Sequence, residues 1–194
     1  MGVLAYFDAD GAWQDTHVCD GSIAQHLARY GLAWGRWPER ESIAADAPLD
    51  AVLDHWQDEI AALGKRFSIA HIDRVTLTPD HADWTTLRSQ FITEHTHADA
   101  EVRCFLDGTG LFYVRTSDGF IGLFCEAGEW VALPAGIRHF FDAGDAPQFD
   151  ALRLFSQTSG WVAHPTGTTA PPLPLLDDFV AQMFELTGNV VDDE

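Results

Sequence analysis

The chain has 194 residues, 46% of them hydrophobic, enough for one domain with a real core. Its 30 acidic residues outnumber 11 basic ones for a formal charge of −19, which argues against binding nucleic acid or an anionic membrane. All the basic residues but Lys65 are arginines, which suit planar or delocalised anions, so their placement matters more than their total.

Three cysteines, Cys19, Cys104 and Cys125, follow no CxxC spacing and fit a reducing compartment rather than a disulfide framework or structural zinc site. The N-terminus lacks the basic start of a signal peptide, and no stretch approaches the roughly 18–20 apolar residues that span a bilayer. A cytoplasmic protein is expected.

In chain order, residues 3–7 read as an edge strand. Ser22 reads as the N-cap of a helix carrying Ile23, His26, Leu27 and Tyr30, with Gly31 at its end. Leu49, Val52, Leu53, Trp56, Ile60 and Leu63 trace the apolar face of a second, stronger helix closed by Gly64. A third helix is predicted over about 83–92. From about residue 101 the texture changes to short runs rich in β-branched and aromatic residues, at 102–106, 111–115, 120–124, 130–133 and 151–155, separated by glycine turns. That pattern predicts a mainly β fold, an antiparallel barrel or sandwich, with a hairpin turn at 116–119. A proline-rich wrapping loop, a helix over about 175–186 and an acidic tail complete the chain. The whole is expected to form one domain: a helical part over about 1–90, a barrel core over about 91–165 and the closing segment over 166–194.

The informative stretch is 91–103. Residues two apart on a strand share a face, so His95 and His97 present both imidazoles to one point. Glu101 would lie about 13 Å beyond His97 on a straight strand, at roughly 3.3 Å per residue, so it joins them only if the chain turns within 98–100. His139 is a fourth candidate, closing the pattern Gly128, Pro134, Gly136, His139. Three neutral imidazoles and a carboxylate suit a redox-active divalent ion such as Fe(II), Ni(II), Mn(II) or Co(II); zinc tolerates the same donors, but no HExxH helix accompanies them. By strand parity Arg103 shares the face of Glu101, and Phe141 that of His139. An arginine so placed serves either a bound anion or a structural ion pair, and the aromatic residues serve either a ligand or plain core. Arg153 is flanked by Leu152 and Leu154, which would take the opposite face.

The pattern HxHxxxE over 95–101, followed by the Gly–Pro–Gly–His block ending at His139, resembles the paired motifs of the cupin superfamily. Ser89 and Ala143 depart from its usual Gly and Asn without removing a ligand. The runs EHTH with EVR over 94–103, DGTG over 107–110, PAGIRHFFD over 134–142, RLF over 153–155 and GWVA over 160–163 resemble acireductone dioxygenases, most strongly over about 90–163. An acidic residue common in that family before the ligand Glu is replaced by Ala100.

The resemblance implies a cupin-type jelly-roll barrel and a metal-dependent dioxygenase of methionine salvage. Its substrates would be O2 and 1,2-dihydroxy-5-methylthiopent-1-en-3-one. It implies one Fe(II) or Ni(II) per chain on His95, His97, Glu101 and His139, and no organic cofactor. Arg103 would assist formation of the substrate dianion, and Glu94 would serve metal incorporation. Arg153, Phe91, Phe141 and Trp161 are the expected substrate contacts. The partners are then small molecules, with no nucleic acid or membrane, and self-repulsion favours a monomer. Another cupin dioxygenase or isomerase, or a non-enzymatic metal-binding cupin, is the alternative reading.

Overall fold

The computed structural model describes residues 1–40, 43–44 and 46–187; the expected acidic tail lies outside them. The strands are β1 (Val3–Asp8), β2 (Trp13–His17), β3 (Ala33–Arg36), β4 (His71–Leu77), β5 (His95–His97), β6 (Glu101–Arg115), β7 (Gly119–Glu126), β8 (Glu129–Leu133), β9 (His139–Asp142), β10 (Phe149–Phe155) and β11 (Ala163–Pro165). The helices are α1 (Asp20–Ala28), α2 (Leu49–His55), α3 (Gln57–Phe67), α4 (Trp84–Phe91) and α5 (Leu176–Thr187).

Two antiparallel sheets share the long strand β6. Its C-terminal half runs in the order β11-β5-β9-β6-β7-β1-β2. Its N-terminal half pairs with β10 and β8, which carry β4 and β3 as outer strands. The change of sheet has a local cause. Opposite the Asp150–Ala151 step the register skips Leu106, a bulge, and Gly108 follows in the left-handed region at φ +71°. A Cβ on Gly108 would stand 1.8 Å from the Gln148 carbonyl oxygen, so only glycine fits this bend. The extra residue flips side-chain parity: Arg103 and Phe105 face inward before it, Phe112 and Val114 after it.

Three apolar clusters account for the packing. Phe105, Phe112, Phe141 and Phe149 fill the space between the sheets. On the outer face of one sheet Ala5, Leu111, Tyr113 and Phe140 meet Leu176 and Phe179 of α5. Phe179 is fully buried there, a contribution of about 1.5–3 kcal/mol for a side chain of its kind. On the other sheet Val102, Cys104, Leu152 and Leu154 are covered by Val52 of α2, Leu63 of α3 and Trp56 at the junction between those helices. Because both faces of β6 are covered on either side of the bend, residues 101–105 and 110–114 are buried without alternation.

Several elements differ from expectation. The first strand is not an edge: β1 lies between β2 and β7. Ser22 falls inside α1, whose N-cap is Cys19, and its hydroxyl instead meets His17 Nδ1 at 3.1 Å. The helix ends before Gly31, at Ala28 with Arg29 as its C-cap, and left-handed Gly31 closes the turn that follows, with Leu32 N–H donating to the Leu27 carbonyl and Gly31 N–H to that of Ala28. The second predicted helix is two. Trp56 leaves helical geometry at φ −109°, ψ 22°, and packs against Trp37 with ring centroids 4.7 Å apart, so tertiary packing breaks a continuous apolar stripe. Gly64 sits within α3, which ends at left-handed Ser68. The runs at 102–106 and 111–115 are one strand. Helices α4 and α5 lie where predicted. No helix among the described residues is long and apolar enough to cross a membrane.

Candidate metal centre and active site

The end of the sandwich near α4 carries the chemistry. Across β5 and β9, His95 stands directly opposite His139, and His97 lies two residues along β5 on the same face. The nitrogen donors of these three rings lie within 4.8 Å of one another. The chain then turns at 98–100, so Glu101 enters β6 with Oε2 3.2 Å from His97 Nε2 and 3.6 Å from His139 Nε2. All four predicted ligands therefore converge, and the turn that the spacing demanded is present.

Backbone carbonyls set the direction of each ring. His95 Nδ1 meets the Thr93 carbonyl at 2.7 Å, His97 Nδ1 that of Val162 at 3.0 Å, and His139 Nδ1 that of Ile137 at 3.0 Å. A carbonyl only accepts, so Nδ1 carries the proton and, in the neutral ring, Nε2 keeps its lone pair for a ligand. His139 Nε2 is buried with no hydrogen-bond partner among the described residues, the orphaned acceptor that a cation satisfies.

The charges support the same conclusion. Full burial opposes ionisation of Glu101, but Arg103, with His139 and His97 beside it, outweighs burial and holds the carboxyl well below its ordinary value. Burial likewise opposes a charge on His97, and its hydrogen bond and attraction to Glu101 overcome it and raise its pKa. His95 is pushed down to about 4, by burial first and then by the neighbouring His139. The site thus offers an ionised carboxylate beside three convergent imidazoles, a donor set that fits a divalent ion.

Arg103 is buried beside this centre. Its Nε donates to Glu101 Oε1 at 3.1 Å and its Nη2 contacts the same oxygen, while the guanidinium lies 5.3 Å from the Phe141 ring. The ligands and Arg103 open on a cavity of about 300 Å³ that Phe91, Phe141, Trp161 and Arg153 also line, so each expected contact reaches it. Arg153 is not free, however: Asp73 of β4, its direct cross-strand partner, takes its Nε at 2.8 Å and Nη2 at 2.7 Å. Trp161 is half exposed at the cavity's edge. Glu94 turns away from the donors; it accepts from Arg115 Nε at 2.6 Å and the Thr166 hydroxyl at 2.7 Å. Arg138 is exposed, and Phe140 packs on the opposite face, stacked on Tyr113.

Other residues of the site carry weaker signals in sequence. Val75, Gln90, Phe112 and Ala163 complete the cavity wall. Arg88 of α4 grips Asp142 of β9 through two hydrogen bonds, at 2.7 and 2.9 Å, which fixes the helix carrying Phe91 against the strand carrying His139. The carbonyls of Thr93 and Ile137 each lie two residues before the histidine they orient, a local regularity visible in the sequence once those histidines are suspected. That of Val162 comes from a distant segment and leaves no such trace.

A model of the ARD/ARD′ family matches residues 40–163. An acireductone dioxygenase of Synechococcus sp. is 40% identical over 180 residues, covering 91% of this chain and 99% of that protein. This chain belongs to the acireductone dioxygenase family. It is therefore a member of the cupin superfamily and a metal-dependent dioxygenase. The acireductone dioxygenase of Pseudomonas aeruginosa is also 40% identical, over 164 residues, 84% of this chain and 90% of that protein. Among solved structures, acireductone dioxygenase from Bacillus anthracis, with a cadmium ion in its active center, superposes with a TM-score of 0.73. At 24% identity, covering 84% of this chain and 97% of that one, it establishes the shared fold.

Proposed function

We propose that the protein is the acireductone dioxygenase of methionine salvage, cleaving 1,2-dihydroxy-5-methylthiopent-1-en-3-one with O2. The observation that carries this reading is the convergence of His95, His97, Glu101 and His139 beside a buried arginine in a cavity walled largely by aromatic residues. A divalent ion on those four ligands supplies Lewis acidity and access to O2 chemistry, and Fe(II) and Ni(II) both accept that donor set.

The chain's own groups prepare the substrate. An enediol reacts with O2 once it has lost protons and become electron-rich, so the protein must favour the anion. Arg103 is positively charged at every working pH and sits where little water screens it, so it stabilises negative charge on a substrate oxygen before and during reaction. Arg153, held by Asp73, adds a second cation at the cavity edge. Phe91, Phe141 and Trp161 form an apolar wall for the methylthioalkyl tail and exclude water around it. Glu94 supports metal incorporation through its place beside His95, locked by Arg115 and Thr166. We take the active unit to be a cytoplasmic monomer of one domain with one ion.

The ion sets the products in this scheme: formate and 4-methylthio-2-oxobutanoate with iron, or formate, carbon monoxide and 3-methylthiopropanoate with nickel. The test is to supply the enediol anaerobically to fully metal-loaded protein, admit O2 and follow the enediol absorbance. Loss at the uncatalysed rate refutes the assignment. Elemental analysis paired with carbon monoxide in the headspace then separates the two forms.

A further inference from the structure

Asp99 is a buried carboxylate, 6% exposed, in the turn between the ligands His97 and Glu101. It does not line the cavity, and what meets it is not a cation but hydrogen-bond donors. Ala100 N–H donates to Oδ1 at 2.8 Å, the Ser156 hydroxyl to Oδ1 at 2.5 Å, and Gln157 N–H to Oδ2 at 2.8 Å. Withdrawing a charge from water is costly, and such bonds are what make it tolerable.

Two of those donors belong to the segment that follows β10. After Asp99 has fixed its start, this segment packs Gly160 so tightly that a Cβ there would stand 2.7 Å from Asp99 Oδ2 and 2.9 Å from Phe155 Cβ. It then carries Trp161 past the cavity and returns to the ligand strand. The Val162 carbonyl receives His97 Nδ1, Ala163 stands opposite His97, and Pro165 opposite His95. The span 156–163 is thus fastened to the ligand segment at both ends, by Asp99 and by His97, with Trp161 between them.

We propose that Asp99 is a positioning residue that couples the metal ligands to the Trp161 wall, one carboxylate fixing both the turn that aims His97 and Glu101 and the start of the span that bounds the substrate cavity. This rests on the metal-binding reading of the four ligands. An asparagine at position 99 keeps the size but sets an amide donor against a backbone or hydroxyl donor, so at least one of the three bonds is lost.

The experiment loads wild type, Asp99→Asn and Ser156→Ala with Ni(II). It measures metal release into excess chelator, and hydrogen exchange of the 156–163 segment by mass spectrometry, with β7 as the internal control for folding. Loss of a direct hydrogen-bond partner of a metal ligand costs about 10–100-fold in affinity, and Asp99 acts one contact further out, through the turn and the 156–163 span. Asp99→Asn should therefore release metal several-fold faster, up to about tenfold, and exchange faster over 156–163, with β7 unchanged and Ser156→Ala intermediate. If Asp99→Asn does not fold, Ser156→Ala carries the same comparison with a smaller change in both readouts. Faster exchange with unchanged release, faster release with unchanged exchange, or no change in either overturns the coupling. Failure of wild type to retain Ni(II) refutes the metal reading itself, a result distinct from failure of the coupling.

Discussion

Replacing Arg103 by methionine separates its two roles. The side chain is 10% exposed, bonds Glu101 through Nε and Nη2, and lies within 5.3–5.8 Å of the Phe141, Phe112 and Phe149 rings. Methionine fits that aromatic cage, so what disappears is chiefly the charge. Removing one partner of a buried pair costs about 3–5 kcal/mol, because the other charge stays buried and uncompensated. That cost applies to the metal-free protein. With an ion on Glu101, the carboxylate keeps a counter-charge and the loss is smaller. By linkage Arg103→Met therefore binds metal at least as tightly as wild type. Its turnover falls all the same, by about 10²–10³-fold, the usual cost of one preorganised donor at developing negative charge. Arg103→Lys restores stability but not turnover, since an ammonium cannot reproduce the two-nitrogen grip. Denaturant unfolding with and without metal, competition titration and O2-dependent enediol loss measure the three quantities. Equal destabilisation of the metal-free and loaded forms, or activity that follows metal content alone, refutes the reasoning.

Further outcomes concern other parts of the molecule. Burial raises the Glu129 carboxyl to about 7 against the attraction of Arg36. An acid raised on folding costs stability only when ionised, so that cost is absent below its ordinary value of 4.5 and complete above about 7. After allowance for solvent screening, urea unfolding should show the stability of Glu129→Gln relative to wild type rising by about 1–3 kcal/mol between these limits. Gly108→Ala places a methyl group against the Gln148 carbonyl at a left-handed residue. It should cost about 3 kcal/mol or more in the same assay. Trp161→Ala removes an aromatic wall worth about 1–1.5 kcal/mol, so KM for the enediol should rise about tenfold with kcat nearly unchanged.

Much of the site was legible in the sequence because its residues are close together and strand parity is simple. His95 and His97 share a face by spacing alone, and the small polar run at 98–100 marks the turn that brings Glu101 round. Arg103 and Phe141 follow from the same alternation. The N-terminal strands were harder to see. Gly35 and Arg36 in β3 and the polar Gln14 and Asp15 in β2 lack strand-forming character, and pairing with β8 and β1 decides their state. The break between α2 and α3 reflects Trp56 packing on Trp37, a contact that no local periodicity encodes. Long-range partners were hidden for the same reason: Asp73 on Arg153, Ser156 on Asp99 and the Val162 carbonyl on His97 join segments 57–80 residues apart. The sequence resemblance named the ligands, strand parity and spacing suggested the substrate contacts, and the structure adds the groups that aim them.

The central claim is that His95, His97, Glu101 and His139 hold the single ion on which turnover depends. Its most direct test is an anaerobic titration of metal-free protein with Fe(II), followed at each point by the initial rate of O2-dependent enediol loss. The rate should rise linearly and break sharply at one ion per chain, with no such break in Glu101→Ala or His139→Ala. Full activity without added metal, or an undiminished break in those variants, would contradict it.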